Sequence, residues 1–129
     1  MNSKVIMISD FNERAWAFED ALREFSAAEV TWMTARNSSP DFFRSLRADV
    51  LIIDAAQFDF SCVLHINSEL PVILLVDHDD PIGQVELPSN MVVLNRWSNP
   101  SKLLQLYETV RYNRLTRISL LPEKCGQHV

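Results

Sequence analysis

The sequence predicts an α/β fold in which a doubly wound, five-stranded parallel sheet is covered by helices on both faces. Short runs of apolar residues recur along the chain, and segments with helical spacing of apolar residues separate them. Most of the runs are apolar at every position, so the strands should be buried on both faces of the sheet. With 129 residues the chain has room for one hydrophobic core, and we expect a single domain.

Each predicted strand is short, and several end at a polar residue. The five strands are Val5–Ile8, Glu29–Thr34, Val50–Ile53, Pro71–Val76 and Met91–Leu94. The second is the least apolar and is assigned from its β-branched and aromatic residues. Parallel strands need right-handed crossovers, which the intervening helical segments can supply.

Three segments have clear features of helices. Residues 13–25 place apolar side chains at helical spacing, and Asn12 can cap the N-terminus. Pro40 suits the first position of a short second helix over Pro40–Arg47. Asn99 and Pro100 indicate the start of a C-terminal helix. The apolar face of this helix contains Leu103, Leu106, Tyr107 and Val110.

The third and fourth helical regions are less regular. Residues 58–69 carry only a weak helical pattern, and residues 81–90 contain two prolines and a glycine, which leave little room for a helix. We therefore expect helices three and four to be shortened.

Composition excludes several classes of function. The net charge of −5 and the pI near 5.1 oppose a phosphate-binding surface, so the domain should not bind nucleic acid directly. Its first apolar run, Val5–Ile8, is too short for a signal peptide or a membrane span, which favours the cytoplasm. Gly83 and Gly126, the two glycines, cannot form a glycine-rich phosphate loop. Cys62 and Cys125 are far apart and are expected to be reduced thiols.

The carboxyl ends of the strands form the edge where ligands collect in a doubly wound sheet. The residues that end or follow the strands there are Ser9, Asp10, Asp54, Val76, Asp77, Asn95 and Arg96. Asp10 and Asp54 should converge, and two carboxylates with a backbone oxygen near Ala56 are suitable ligands for hydrated Mg²⁺. Asp54 can also be a phosphoryl acceptor. No other cofactor is expected.

Four segments, in this order, resemble the receiver domains of bacterial response regulators, which have a flavodoxin-like fold. Lys4–Asp10 is similar to the first strand and acidic pair of that family, and Asp49–Asp54 to its phosphoacceptor strand. Pro71–Val76 is similar to the fourth strand, and Val92–Trp97 occupies the place of the fifth strand and its lysine-proline-aromatic ending. The resemblance covers nearly the whole domain and implies two-component signal transduction with Asp54 as the phosphoacceptor.

The chain departs from the receiver pattern at four functional positions. Ser9 replaces the first acid, and Val76 replaces the threonine or serine that meets the phosphoryl group. Val92 replaces the switch aromatic, and Asn95 replaces the lysine. Phosphoryl transfer depends on a metal and on cations that stabilise the transferred oxygens. We therefore expect a degenerate site that is not phosphorylated efficiently, in a domain that is not an enzyme.

Two interpretations remain open for Asp54. It can ligate a metal, or it can be a strand-end carboxylate satisfied by backbone donors or by Arg96, one position after the missing lysine. The second interpretation is slightly favoured. Asp77, which precedes further acids and Pro81, is interpreted as the start of a turn rather than as a substitute acid.

Three functions fit the resemblance. The favoured one is an atypical, phosphorylation-independent receiver that serves dimerisation or partner binding in a longer transcription regulator. Residues 1–117 would form this domain, and residues 118–129 a tail or linker to an output domain. The second is a working phospho-receiver with Asp54 as the Mg²⁺-dependent phosphoacceptor, and the third is a stand-alone signalling adaptor. The shortened helical regions and the ending over Leu94–Tyr112 are also similar to receiver-like domains that head sigma-54-dependent flagellar master regulators.

Aromatic and arginine side chains near the fifth strand predict an interface. The candidates are Trp97, Tyr107, Arg111 and Arg114, because aromatic residues and arginine most often anchor protein interfaces. The broken segment 81–90 should leave the flank of the fifth strand poorly covered. We expect a homodimer or a regulatory protein partner at this surface.

Overall fold

The computed structural model describes residues 3–9, 13–33, 40–54, 66, 69–77 and 87–112. Five strands lie in these ranges: β1 Lys4–Ile8, β2 Glu29–Met33, β3 Val50–Asp54, β4 Val72–Val76 and β5 Met91–Asn95. The helices are α1 Glu13–Phe25, α2 Pro40–Ser45 and a C-terminal helix that is described over residues 100–112.

The strands form one parallel sheet in the order β2-β1-β3-β4-β5. Every residue of β3 and β4 is buried, as expected for central strands covered on both faces. This confirms the predicted doubly wound, five-stranded parallel sheet. The strand order reverses between β1 and β3, so ligands are expected beyond the carboxyl ends of these strands.

Two apolar clusters lie on the opposite faces of the sheet. On the first face, α1 and the C-terminal helix bury Phe18, Leu22 and Leu103 against Met7 and Ile52. The second face contains Ile6, Ile8, Leu51, Ile53, Leu70, Val72, Leu74, Val76 and Met91. Alternate residues of each central strand contribute to opposite clusters, because strand side chains alternate between the two faces.

Two helix ends follow local rules. The Asn99 side chain accepts a hydrogen bond from the Ser101 N–H at 2.9 Å and so caps the C-terminal helix. At the end of α1, Ala27 has a positive φ of 50°, and the Ala28 N–H donates to the Leu22 carbonyl at 3.2 Å. A left-handed residue at this position is a common helix terminator, although glycine is the usual one.

Several predicted boundaries shift by one or two residues: β1 begins at Lys4, β2 ends at Met33, β3 extends to Asp54 and β4 begins at Val72. The helix α2 ends at Ser45 rather than Arg47, because Leu46 and Ala48 pack against the apolar cluster of the second face. The strand β5 extends to Asn95. Asn12, the tail over residues 118–129 and most of the two regions predicted as shortened helices lie outside the described residues. Within the described ranges, none of the helices combines the length and the apolar composition that crossing a bilayer requires.

Candidate functional site

A cleft of about 450 Å³ opens at the carboxyl edge of the sheet, between the start of α1 and the turn after β5. Its lining is Ser9, Glu13, Arg14, Ala15, Phe18, Asp54, Leu75, Arg96 and Trp97. The volume is in the range of small-molecule sites. The cleft therefore brings Ser9, Asp54 and Arg96, which the sequence placed at this edge, into one site.

Asp54 and Arg96 form an ion pair in this cleft. Arg96 Nη2 donates to Asp54 Oδ1 at 2.9 Å, and the two side chains are only 19% and 12% exposed. The same nitrogen lies 3.4 Å from the Leu75 carbonyl oxygen. This pairing was one of the two interpretations of Asp54 drawn from the sequence.

The register of β5 explains why Arg96, and not Asn95, reaches Asp54. The side chains of Val92 and Leu94 pack towards the cluster on the α1 face, and alternation places the residue after Asn95 on that face too. The Arg96 N–H continues the ladder with the Val76 carbonyl at 2.8 Å. Asn95 instead uses its Oδ1 to accept the Trp97 N–H at 2.8 Å, which closes the turn.

Asp77 belongs to the site as well as to the end of β4. Its Oδ2 lies 3.7 Å from Arg96 Nη1 and accepts a hydrogen bond from Trp97 Nε1 at 3.1 Å. One guanidinium therefore faces carboxylates from two neighbouring strands. Its carboxylate contacts both Arg96 and Trp97, whereas the turn predicted to start at Asp77 falls on residues outside those described.

Trp97 is exposed and yet held in place. Its side chain is 57% exposed, and the Arg14 guanidinium lies 5.0 Å from its ring centroid in a cation–π arrangement. Arg14 Nη1 also donates to the Trp97 carbonyl at 3.2 Å. Together with the Asp77 contact, these interactions fix the indole on the surface beside the cleft.

Ser9 occupies the end of β1 as a buried residue. Its N–H donates to the Met33 carbonyl at 3.0 Å, and its own carbonyl accepts from Trp32 Nε1 at 3.0 Å. The Trp32 ring meets Trp16 edge to face, with centroids 6.4 Å apart. These contacts attach the end of β1 to the outer strand β2 and to α1.

Of the predicted magnesium ligands, the structure describes Asp54 but not Asp10 or the backbone near Ala56. No three metal-ligating side chains converge among the described residues, and Asp10 lies outside them. The guanidinium of Arg96 at Asp54 would also repel a second cation at the same carboxylate.

The remaining predicted switch positions line the sheet rather than the cleft. Val76 is buried in the cluster on the second face, beside Ile8 and Ile53. Val92 is partly buried against the opposite cluster. Neither side chain can hydrogen-bond, so these two positions provide packing and no hydroxyl donor.

The predicted interface residues separate into different environments. Tyr107 is fully buried beneath the C-terminal helix, so its assignment to an interface is corrected: the ring packs in the core. Trp97 is exposed, and Arg111 is partly exposed with Nη1 3.3 Å from Glu108 Oε1. Arg114 lies outside the described residues.

Sequence analysis missed Arg14. This residue lies in the first turn of α1, which the topology places at the carboxyl edge of the sheet. Its contact with Trp97 joins positions 83 residues apart, so no local sequence pattern predicts this contact. The position of Arg14 at the start of a helix that follows β1 was the available signal.

Known proteins resemble this chain in structure. No family model matches it, and no curated protein sequence matches it. The non-phosphorylated receiver domain of the stress response regulator RcsB from Escherichia coli superimposes with a TM-score of 0.67 at 16% identity, over 88% of this chain and 95% of that one. The N-terminal domain of a response regulator/sensory box/GGDEF three-domain protein from Carboxydothermus hydrogenoformans gives 0.63 at 16% identity, over 89% and 98%.

A third similar structure is an enzyme. The lysine decarboxylase LdcF of Francisella novicida matches with a TM-score of 0.65 at 13% identity, over 88% of this chain and 18% of that one. Identities this low show the fold alone, and a shared fold does not assign a function. The structural neighbours therefore include receiver domains and confirm a receiver-like, flavodoxin-like α/β fold.

Proposed function

We propose that this domain acts in signal transduction as a receiver-like module whose output does not depend on phosphorylation of Asp54. The contact between Arg96 Nη2 and Asp54 Oδ1, at 2.9 Å, carries the proposal. Arginine keeps its charge at any physiological pH, so the carboxylate that would accept a phosphoryl group is paired with a cation. Arg96 occupies Asp54 Oδ1, so an acyl phosphate formed at that oxygen would have to displace it from its present position.

The environment of Asp54 supports the same proposal. At the end of β4, Val76 offers no hydroxyl to a phosphoryl oxygen. After β1, Ser9 offers no carboxylate, and its backbone is already bonded to Met33 and Trp32. Stabilisation of transferred oxygens by metal and cation is the main source of catalysis in phosphoryl transfer. Among the described residues of the cleft, the cations left for this task are Arg96 and Arg14.

One observation favours the alternative of a working phospho-receiver. Asp54 lines the open cleft, and a cation beside it can stabilise a phosphoryl group as well as a carboxylate. In that case Asp54 would be the nucleophile of a Mg²⁺-dependent autophosphorylation, and Arg96 would take the place of the missing lysine.

Intact-protein mass spectrometry separates the two functions. We expect the domain to remain largely unphosphorylated after incubation with acetyl phosphate and Mg²⁺, while a phosphorylatable receiver assayed in parallel shows that the donor is active. Asp54→Asn is the matched control, since it removes only the acceptor. Near-complete phosphorylation that this substitution abolishes would establish the phospho-receiver instead.

We further propose that output passes through protein contacts at the surface next to β5. Trp97 is exposed and immobilised there, and Arg111 is partly exposed on the C-terminal helix. Immobilised aromatic side chains make good anchors because little entropy is lost on binding. The expected partner is a second copy or a regulatory protein in the cytoplasm, without direct binding of nucleic acid or membrane, and without a cofactor.

The wider context is part of the same proposal. The domain would head a transcription regulator, with the sigma-54-dependent flagellar regulators as the narrower hypothesis, and a stand-alone adaptor as the other arrangement. Purification of the full natural protein with its partners tests this: a protein without any output domain would favour the adaptor.

A further inference from the structure

We infer that β5 is a pairing edge, on which the β5 strand of a second copy adds in antiparallel orientation about a twofold axis at Val93. This rests on the proposed protein contacts next to β5, and it specifies both their partner and their geometry. A strand at the edge of a sheet carries hydrogen-bonding groups that a partner strand can use.

The opposite edge of the sheet is closed by a side chain. Arg23 Nη2 donates to the Val30 carbonyl of β2 at 2.8 Å, and the arginine is held by Glu19 Oε2, also at 2.8 Å. The hydrogen bonds of Glu29 and Met33 run to β1, so Val30 is one of the β2 residues whose backbone faces outwards. A charged side chain on an outward carbonyl is a known way to prevent edge pairing.

The edge of β5 has a different arrangement. The Asn90 carbonyl and the Arg96 N–H bond to β4, at 2.9 and 2.8 Å, so the alternate residues Met91, Val93 and Asn95 direct their backbone groups outwards. The Met91 N–H already donates to the Pro88 carbonyl, and the Asn95 carbonyl already accepts from the Ser98 N–H. Among the described residues, no strand lies beyond β5 and no side chain caps Val93, whose side chain is 43% exposed.

The strand is complementary to itself. In an antiparallel pair centred on Val93, the two Val93 residues would exchange both of their backbone hydrogen bonds, and each Asn95 N–H would reach the Met91 carbonyl of the other copy. Val92 would lie opposite Leu94. The sequence Met91–Asn95 contains no charged residue, so no like charges oppose each other in this register.

An apolar flank on one face of β5 supports a second copy as the occupant. Val92 and Leu94 are only partly buried there. On the C-terminal helix, Glu108 accepts a 3.1 Å hydrogen bond from Ser26 Oγ, so this side of the helix faces the end of α1. Helical spacing then places two partly buried apolar side chains on the side away from α1. These are Leu106 and Val110. A twofold axis at Val93 would bring this flank against its own copy, because an isologous contact joins the same patch of both subunits.

Two substitutions of Val93 test the pairing. Val93→Pro removes the outward N–H without touching the bonds between β4 and β5, since proline is tolerated where a strand faces solvent. Val93→Glu places two carboxylates opposite each other at the axis. Thr31→Glu is the matched control, because Thr31 is the exposed middle residue of the closed edge strand. Far-UV circular dichroism checks that each variant is folded.

Sedimentation equilibrium and amide exchange by NMR give the result. We expect the wild type to dimerise with concentration-dependent protection of the Val93 and Asn95 amides, and both Val93 variants to raise the dimer Kd by about tenfold or more, while Thr31→Glu does not. A dimer that both variants leave intact, with exposed Val93 amides, overturns the pairing and leaves the proposed dimer in place. A protein that stays monomeric at about 1 mM overturns both the β5 pairing and the proposed dimer. The proposal of phosphorylation independence is tested separately, by mass spectrometry.

Discussion

The guanidinium of Arg96 lies between two carboxylates, 2.9 Å from Asp54 Oδ1 and 3.7 Å from Asp77 Oδ2. The three side chains are 12 to 26% exposed, so solvent screens these pairs less than it screens surface ion pairs. Each carboxylate ends or follows a different strand. The arginine thus joins the ends of β3, β4 and β5 and offsets part of the negative charge at this edge of the sheet.

Removing Arg96 should therefore destabilise the fold. We expect Arg96→Ala to lower the free energy of unfolding by about 2 kcal/mol, because it leaves two partly buried carboxylates facing each other. Urea denaturation measures this, and a cycle with Asp54→Ala should give a coupling of about 1 kcal/mol. Lys102→Ala, on an exposed helix position, is the control. Strictly additive losses in the double variant would contradict a direct pair.

The left-handed Ala27 gives a prediction about local strain. Its φ of 50° is costly for a residue with a Cβ, so Ala27→Gly should raise the free energy of unfolding by about 0.5 to 1 kcal/mol. The same substitution at exposed Ala17, inside α1, should lower it by a similar amount. Chemical denaturation of both variants checks the opposite signs. A loss of stability in Ala27→Gly would mean that the positive φ is not maintained in solution.

Tyr107 provides a third prediction. Its hydroxyl is buried and has no hydrogen-bond partner among the described residues. Burying an unsatisfied hydroxyl is unfavourable, so Tyr107→Phe should leave the free energy of unfolding unchanged or raise it by about 1 kcal/mol. Thermal or urea unfolding tests this, with Tyr112→Phe at an exposed position as the control. A clear loss of stability would show that the hydroxyl is bonded.

The central strands could be predicted because a strand buried on both faces is apolar at nearly every position. Val50–Asp54 and Val72–Val76 carry this signal without ambiguity. The contact between Asp54 and Arg96 could be proposed from the sequence, but it could not be established against a metal-binding role for Asp54. The choice depends on which face of β5 carries the Arg96 side chain. That face follows from the register between neighbouring strands, which the sequence of a single strand does not contain.

Residue type alone gives the wrong environment for Tyr107, and the contact of Arg14 with Trp97 spans 83 residues of sequence. Tyr107 lies at helical spacing from Leu103, which predicts burial, and its assignment to an interface followed only from the preference of aromatic residues for interfaces. Arg14 meets Trp97 because α1 and the turn after β5 converge at the same edge of the sheet. The contact needs the complete tertiary fold.

The last prediction concerns Trp97 as an anchor of association. Its ring is held by Arg14 and Asp77 while more than half of its surface stays exposed, so it can be buried by a partner without further loss of side-chain entropy. We expect Trp97→Ala to raise the dissociation constant by about thirtyfold, the cost of a typical hot spot. Its free energy of unfolding should change by no more than about 1 kcal/mol. Arg111→Glu should weaken association in the same direction.

Trp16 offers a matched comparison for this experiment. It is also a tryptophan, it is 55% exposed against 57% for Trp97, and it packs against Trp32 of the outer strand β2 rather than near β5. Trp16→Ala should therefore leave the dissociation constant unchanged in the same sedimentation measurement. If both substitutions weaken association equally, the effect comes from general loss of apolar surface. If Trp97→Ala lowers stability and leaves association intact, the indole supports the fold at the end of β5, and the anchor must be sought elsewhere.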